Sequence, residues 1–93
     1  MYKVVLNLRG KFVKEQLIQE DIEKTLDKII YPLLRRTNYR VTIIVGKGNS
    51  SSSMIQGKNL IRYYTEIYLE KVGIDWRNGN HFEGQEGVII VEG

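Results

Sequence analysis

The chain changes hydrophobic rhythm along its length. In residues 2–8, Val4, Leu6 and Leu8 fall on one side and Val5 on the other. A period near two is that of a strand, so a buried strand ending at Arg9 and Gly10 is predicted. From Val13 the spacing becomes three and four, through Leu17, Ile18, Ile22, Leu26, Ile29, Ile30 and Leu33. That stripe predicts an amphipathic helix. Early Glu15, Glu20 and Asp21 and late Arg35 and Arg36 suit the helix dipole. Pro32 cannot donate to a helical ladder, so the helix is expected to kink or end near Tyr31.

Residues 39–45 are the strongest strand, with Val41, Ile43 and Val45 on one face and Ile44 on the other. This suits an interior strand covered on both sides. A glycine- and serine-rich loop is expected over residues 46–58. Residues 59–73 then place Leu60, Ile61, Tyr64, Ile67, Tyr68 and Val72 on a helical stripe, and Gly73 is a natural stop. Residues 74–76 are a short strand candidate, 77–86 a polar loop and 87–93 a final strand. The order is β-α-β-α-β-β. It predicts an α+β fold, a two-layer sandwich with a mixed four-stranded sheet and two helices on one face, in a single domain over residues 1–93. A right-handed crossover would set the first two strands side by side and parallel. Their carboxyl ends, where open α/β sheets bind ligands, would then share one edge.

Composition removes several chemistries. The chain has 93 residues, no cysteine and one histidine, His81. Disulfides, thiolate catalysis, cysteine-ligated zinc and multi-histidine metal sites are therefore excluded, and no metal site is expected. No apolar run approaches the ~20 residues that cross a bilayer, and residues 1–10 are too strand-like for a signal peptide. An intracellular, cytoplasmic protein without membrane contact is the expectation. Net charge is +3, but its distribution matters more. Glu15, Glu20, Asp21, Glu23 and Asp27 crowd the first helix, whereas Arg9, Lys11, Lys14, Lys47 and Lys58 lie near glycines and element ends.

The loop after the second strand reads Gly46-Lys47-Gly48-Asn49-Ser50-Ser51. It departs from the dinucleotide fingerprint, because Ser51 replaces the third glycine and the helix starts at least eight residues late. The phosphate-loop spacing is missing as well, so no nucleotide cofactor is expected. Two readings remain open on spacing alone. Serine-rich composition suits a flexible connection. Equally, glycines admit close phosphate approach, Lys47 supplies charge, and Asn49 and Ser50 supply hydrogen bonds.

Three segments together resemble the Smr (small MutS-related) domain. They are Leu6-Asn7-Leu8-Arg9-Gly10, then Ile43-Ile44-Val45-Gly46-Lys47-Gly48-Asn49, then Gly84-Gln85-Glu86-Gly87 followed by Val88-Ile89-Ile90-Val91. In order and element context they span roughly residues 5–91. The resemblance implies a β-α-β-α-β-β sandwich that binds RNA or DNA and often nicks it, standing alone or as part of a larger protein. Nucleic-acid contacts are then expected, from the basic and glycine-flanked loops at the adjoining strand ends, on Arg9, Gly10, Lys11, Lys14, Gly46, Lys47, Gly48, Asn49 and Ser50, with Lys58 and Arg62 beside them.

The family's first-motif acid falls on Asn7 and its histidine on Arg9. Arginine is seen at that position in one branch of the family. Asn7 and Arg9 are the weak catalytic candidates, since neither carboxylate nor imidazole is present to move a proton. An arginine stabilises phosphate charge but accepts no proton near neutrality. Whether the chain is an endonuclease is thus left open. The alternative is a protein-interaction or oligomerisation module that keeps the fold without the ligand.

Other residues have plainer readings. His81 beside Glu83 reads as a solvated loop histidine rather than a catalytic pair. Asp75, Glu83 and Glu86 read as solvated carboxylates rather than a magnesium site. Tyr64 and Tyr68 belong to the apolar stripe, while Tyr63, next to Arg62, is the one tyrosine suited to stacking on a base. Trp76 suits either the sheet surface or its rim.

Overall fold

The two rhythms fold into two layers. The computed structural model describes residues 1–8, 15–46, 54–55, 58–80 and 87–93, with the backbone alone at 15–18, 54–55 and 58–59. The elements are β1 (Tyr2–Asn7), α1 (Glu15–Ile30), a 3-10 turn (Tyr31–Arg35) and β2 (Tyr39–Ile44). A ribbon of β3 (Met54–Ile55) and β4 (Lys58–Asn59) leads into α2 (Leu60–Lys71), then β5 (Arg77–Asn78) and β6 (Val88–Glu92). The main sheet runs β1-β2-β6-β5. β1 and β2 are parallel, and β6 is antiparallel to both β2 and β5. The fold is α+β, a mixed four-stranded sheet with two helices on one face.

Alternation decides which side chains meet the helices. Leu6, Ile43 and Ile89 lie in one cross-strand row, and Val4, Val41 and Val91 in the next. With Leu8 and Val45 these rows pack against Ile22, Leu26 and Ile30 of α1 and Ile61, Tyr68 and Leu69 of α2. Val13, Leu17 and Ile18 of the predicted stripe lie outside the described side chains. Pro32 ends α1 as expected. Regular helix stops at Ile30, and Pro32 sits at the start of the 3-10 turn, where no N–H is required of it.

Cover on both sides belongs to β6 more than to β2. Val88, Ile89, Ile90 and Val91 are all buried, whereas Thr42 and Ile44 on the helix-free side of β2 are half-buried.

Three expectations are corrected. Residues 46–58 are not loop throughout, because Met54–Ile55 pairs antiparallel with Lys58–Asn59. That ribbon delays α2 to Leu60. The short strand is not 74–76 but Arg77–Asn78. After Gly73, the Ile74 N–H turns back to the Leu69 carbonyl at 2.9 Å, and Ile74 and Trp76 pack on the core. Those residues are committed to ending the helix, so the ladder to β6 starts three residues later, at Arg77. Polar residues serve there because an edge strand pairs through its backbone.

The α2 stripe also holds two buried residues beyond those predicted, Thr65 and Leu69. The Thr65 hydroxyl donates to the Ile61 carbonyl at 2.7 Å, which satisfies its polar atom inside the core.

Candidate functional site

Three segments that are far apart in sequence end at one edge of the sheet. The Leu8 N–H donates to the Ile44 carbonyl at 2.9 Å, carrying the parallel pairing to the end of β1. The residues that follow β2 turn toward the residue that precedes β6. Val45 and Gly46 both donate to the Gly87 carbonyl, at 2.9 and 3.1 Å. Gly46 has φ +80°, a conformation that glycine adopts without cost and other residues resist. Asn7, Gly46 and Gly87 are thus brought together at the carboxyl edge of the parallel pair.

Alternation sets the direction of Asn7. It is exposed, in a row with Ile44 and Val88 on the helix-free side of the sheet. Arg9, Gly10, Lys11, Lys14, Lys47, Gly48, Asn49 and Ser50 lie outside the described residues. So do His81, Glu83 and Glu86. Their chain connections still fix the origin of two basic segments, since one leaves the edge after Leu8 and the other after Gly46. Lys58 is in β4, on the segment that leads into α2.

Arg62 sits elsewhere. It pairs with Glu66 one turn along α2 at 3.4 Å, donates to the Asn78 side-chain carbonyl, and stands 5.6 Å over the Trp76 ring. These contacts place it against β5, three strands from β1 and so ~14 Å across the sheet. Trp76 is half-buried against the core, which settles what its sequence position left open. Tyr63 is exposed, with its ring 5.2 Å from that of Tyr64.

Among the described residues, two depressions lie on the β5 side of the sheet. A depression of about 190 Å³ is lined by Asp75, Trp76, Arg77, Ile90 and Glu92. A second, of about 380 Å³, is lined by Glu70, Gly73, Ile74, Asp75 and Trp76. Three carboxylates border them, which suits neither for a phosphate. Glu92 itself is spoken for. Its Oε1 accepts from Arg77 at 3.0 Å and its Oε2 from Arg40 at 3.0 Å. Hydrogen bonds from the two guanidinium groups, Arg77 first and then Arg40, hold its carboxyl below the usual carboxylate range. This trio clips β2, β6 and β5 together and was not foreseen from sequence. Its signal is only a charged residue at an alternating strand position.

Among the described residues, no group of acids and histidines is placed to hold a metal ion, and no helix is long and apolar enough to cross a membrane. Comparison with family models, curated proteins and solved structures finds no match to this chain.

Proposed function

We propose that the chain is an Smr-like nucleic-acid-binding domain that holds the backbone of RNA or DNA at the carboxyl edge of β1 and β2. One observation carries this reading. The three segments that carry the resemblance meet at that edge, through Leu8, Gly46 and Gly87. Two basic segments therefore start side by side. Arg9, Lys11 and Lys14 come from one and Lys47 from the other. Gathering like charges is unfavourable without an anion, and a phosphodiester supplies it. Gly10, Gly46 and Gly48 let the backbone come close, and Asn49 and Ser50 donate hydrogen bonds. Lys58 lies on the segment that leads into α2, whereas Arg62 is engaged against β5 and is not part of this surface. Contacts of this kind read phosphate rather than base, so binding is blind to sequence. Cleavage of ordinary RNA or duplex DNA is slow or absent, because Asn7 and Arg9 offer no proton acceptor.

A titration of labelled oligonucleotide at two salt concentrations, with cleavage followed on a gel, tests this. Lys47→Glu is expected to weaken binding more than tenfold, about 1.4 kcal/mol. Lys28→Glu, exposed on α1, is expected to leave it unchanged. For a single strand, log affinity should fall against log salt with a slope of roughly −0.7 per phosphate contact. Equal affinity in the two variants would leave the loop a connection and favour the protein-interaction module. Robust cleavage that survives both Asn7→Ala and Arg9→Ala would place the chemistry elsewhere.

A further inference from the structure

We propose that β1 is a self-pairing edge: two copies of the chain join through β1 in antiparallel register, with Val5 facing Val5 on the twofold axis, to form one eight-stranded sheet. The proposal is independent of nucleic-acid binding.

The two edges of the main sheet differ in kind. β5 is two residues long. β1 is six residues long, and no described strand lies beyond it. The Tyr2 N–H donates to the Asn38 carbonyl at 3.0 Å and the Leu8 N–H to the Ile44 carbonyl at 2.9 Å. Even-numbered residues thus direct their backbone groups at β2. By alternation, Lys3 and Val5 direct theirs outward. Such a row is a template for another strand, and proteins usually guard it with several charges, prolines or bulges. β1 has one lysine and no proline. It also carries exposed apolar groups. Val5 is 69% exposed, with Met1 at 60% and Tyr2 at 46% beside it.

The pattern along β1 is complementary to itself. Antiparallel pairing about Val5 sets Lys3 opposite Asn7, Val4 opposite Leu6 and Tyr2 opposite Leu8. Helix-facing positions meet helix-facing positions, so the helices of both copies stay on one side. The one charge on the strand meets an amide, whereas pairing two residues earlier would set Lys3 against Lys3. Residues whose backbone groups point outward face each other, so Val5 pairs with Val5 through two hydrogen bonds. A second copy supplies this match without any sequence foreign to the chain, which is why it is the occupant. Six-residue strands bury less than the ~800 Å² per partner of a standard interface, so the dimer should be reversible and of micromolar affinity.

The full chain contains no cysteine, so Val5→Cys provides a single thiol. Opposite Cα atoms of a hydrogen-bonded antiparallel pair are about 5.5 Å apart, within the range a disulfide spans. Under mild oxidation at about 200 µM, Val5→Cys is expected to cross-link at least tenfold faster than Gln19→Cys on the exposed side of α1. Sedimentation velocity of the unmodified chain should show a dimer that grows with concentration and is lost in Val5→Lys. Circular dichroism should stay unchanged, because Val5 faces solvent in the single copy. A monomer at every concentration, equal cross-linking rates, or a dimer that survives Val5→Lys would each overturn the proposal.

Discussion

Gly73 shows how much a single residue specifies. It has φ +75°, its N–H donates to the Glu70 carbonyl at 3.1 Å, and the following Ile74 N–H reaches Leu69. That is the Schellman arrangement, and it satisfies carbonyls that the end of α2 would otherwise leave without partners. A Cβ added at Gly73 would meet nothing within 4 Å. Gly73→Ala therefore carries backbone strain alone, and urea unfolding should show a loss of about 1 kcal/mol, with Gly73→Asn losing less. This stop was legible in sequence because the requirement is local. Gly46, at φ +80°, was legible for the same reason. Thr65 was not. Threonine in a helix reads as neutral or exposed, and only the packing of α2 against the core turns its hydroxyl back onto Ile61.

Strand β6 is where the sheet concentrates its burial. Ile89 is fully buried between β2 and the helices, whereas Val5 on β1 is more than two-thirds exposed. Ile89→Ala is expected to cost about 2–5 kcal/mol, the transfer of the removed methyls plus the cavity left behind. Val5→Ala, compared at concentrations too low for association, should stay within about 0.5 kcal/mol. Denaturant midpoints of the two variants check the contrast. The strong strands and both helices were legible from their periods. β5 was not, because Arg77 and Asn78 carry no apolar alternation. Its place is set by the backbone ladder to Ile89 and Ile90. The apolar residues before it, Ile74 and Trp76, are drawn to the core instead.

Across the whole molecule, the tie between the helices sets a pH response. The buried Tyr68 hydroxyl on α2 donates to the Asp27 carboxylate on α1 at 2.6 Å. Burial first, then the hydrogen bond to Asp27 and the negative charges of Asp27 and Glu23, push the phenol above its ordinary range. A raised folded value stabilises the fold while the phenol keeps its proton. That contribution is fully present below the unfolded value near 10 and is lost as pH rises toward the folded one. Urea unfolding at pH 8, 10 and 11 should show stability falling more steeply in the unmodified chain than in Tyr68→Phe. At pH 8 the variant should be weaker by about 1 kcal/mol. The sequence placed Tyr68 on the apolar stripe but did not reveal its partner, which lies 41 residues away.

The same division runs through the fold. Sequence by itself determined the order of the three long strands and two helices, most of their buried stripes and the glycine stops, because periodicity and backbone sterics act over a few residues. Only the tertiary structure decided that β6 enters beside β2, that Arg40 finds Glu92 across 52 residues, and that Leu8, Gly46 and Gly87 meet. Those outcomes rest on hydrogen bonds and packing between distant segments, whose partners are chosen only when the sheet closes.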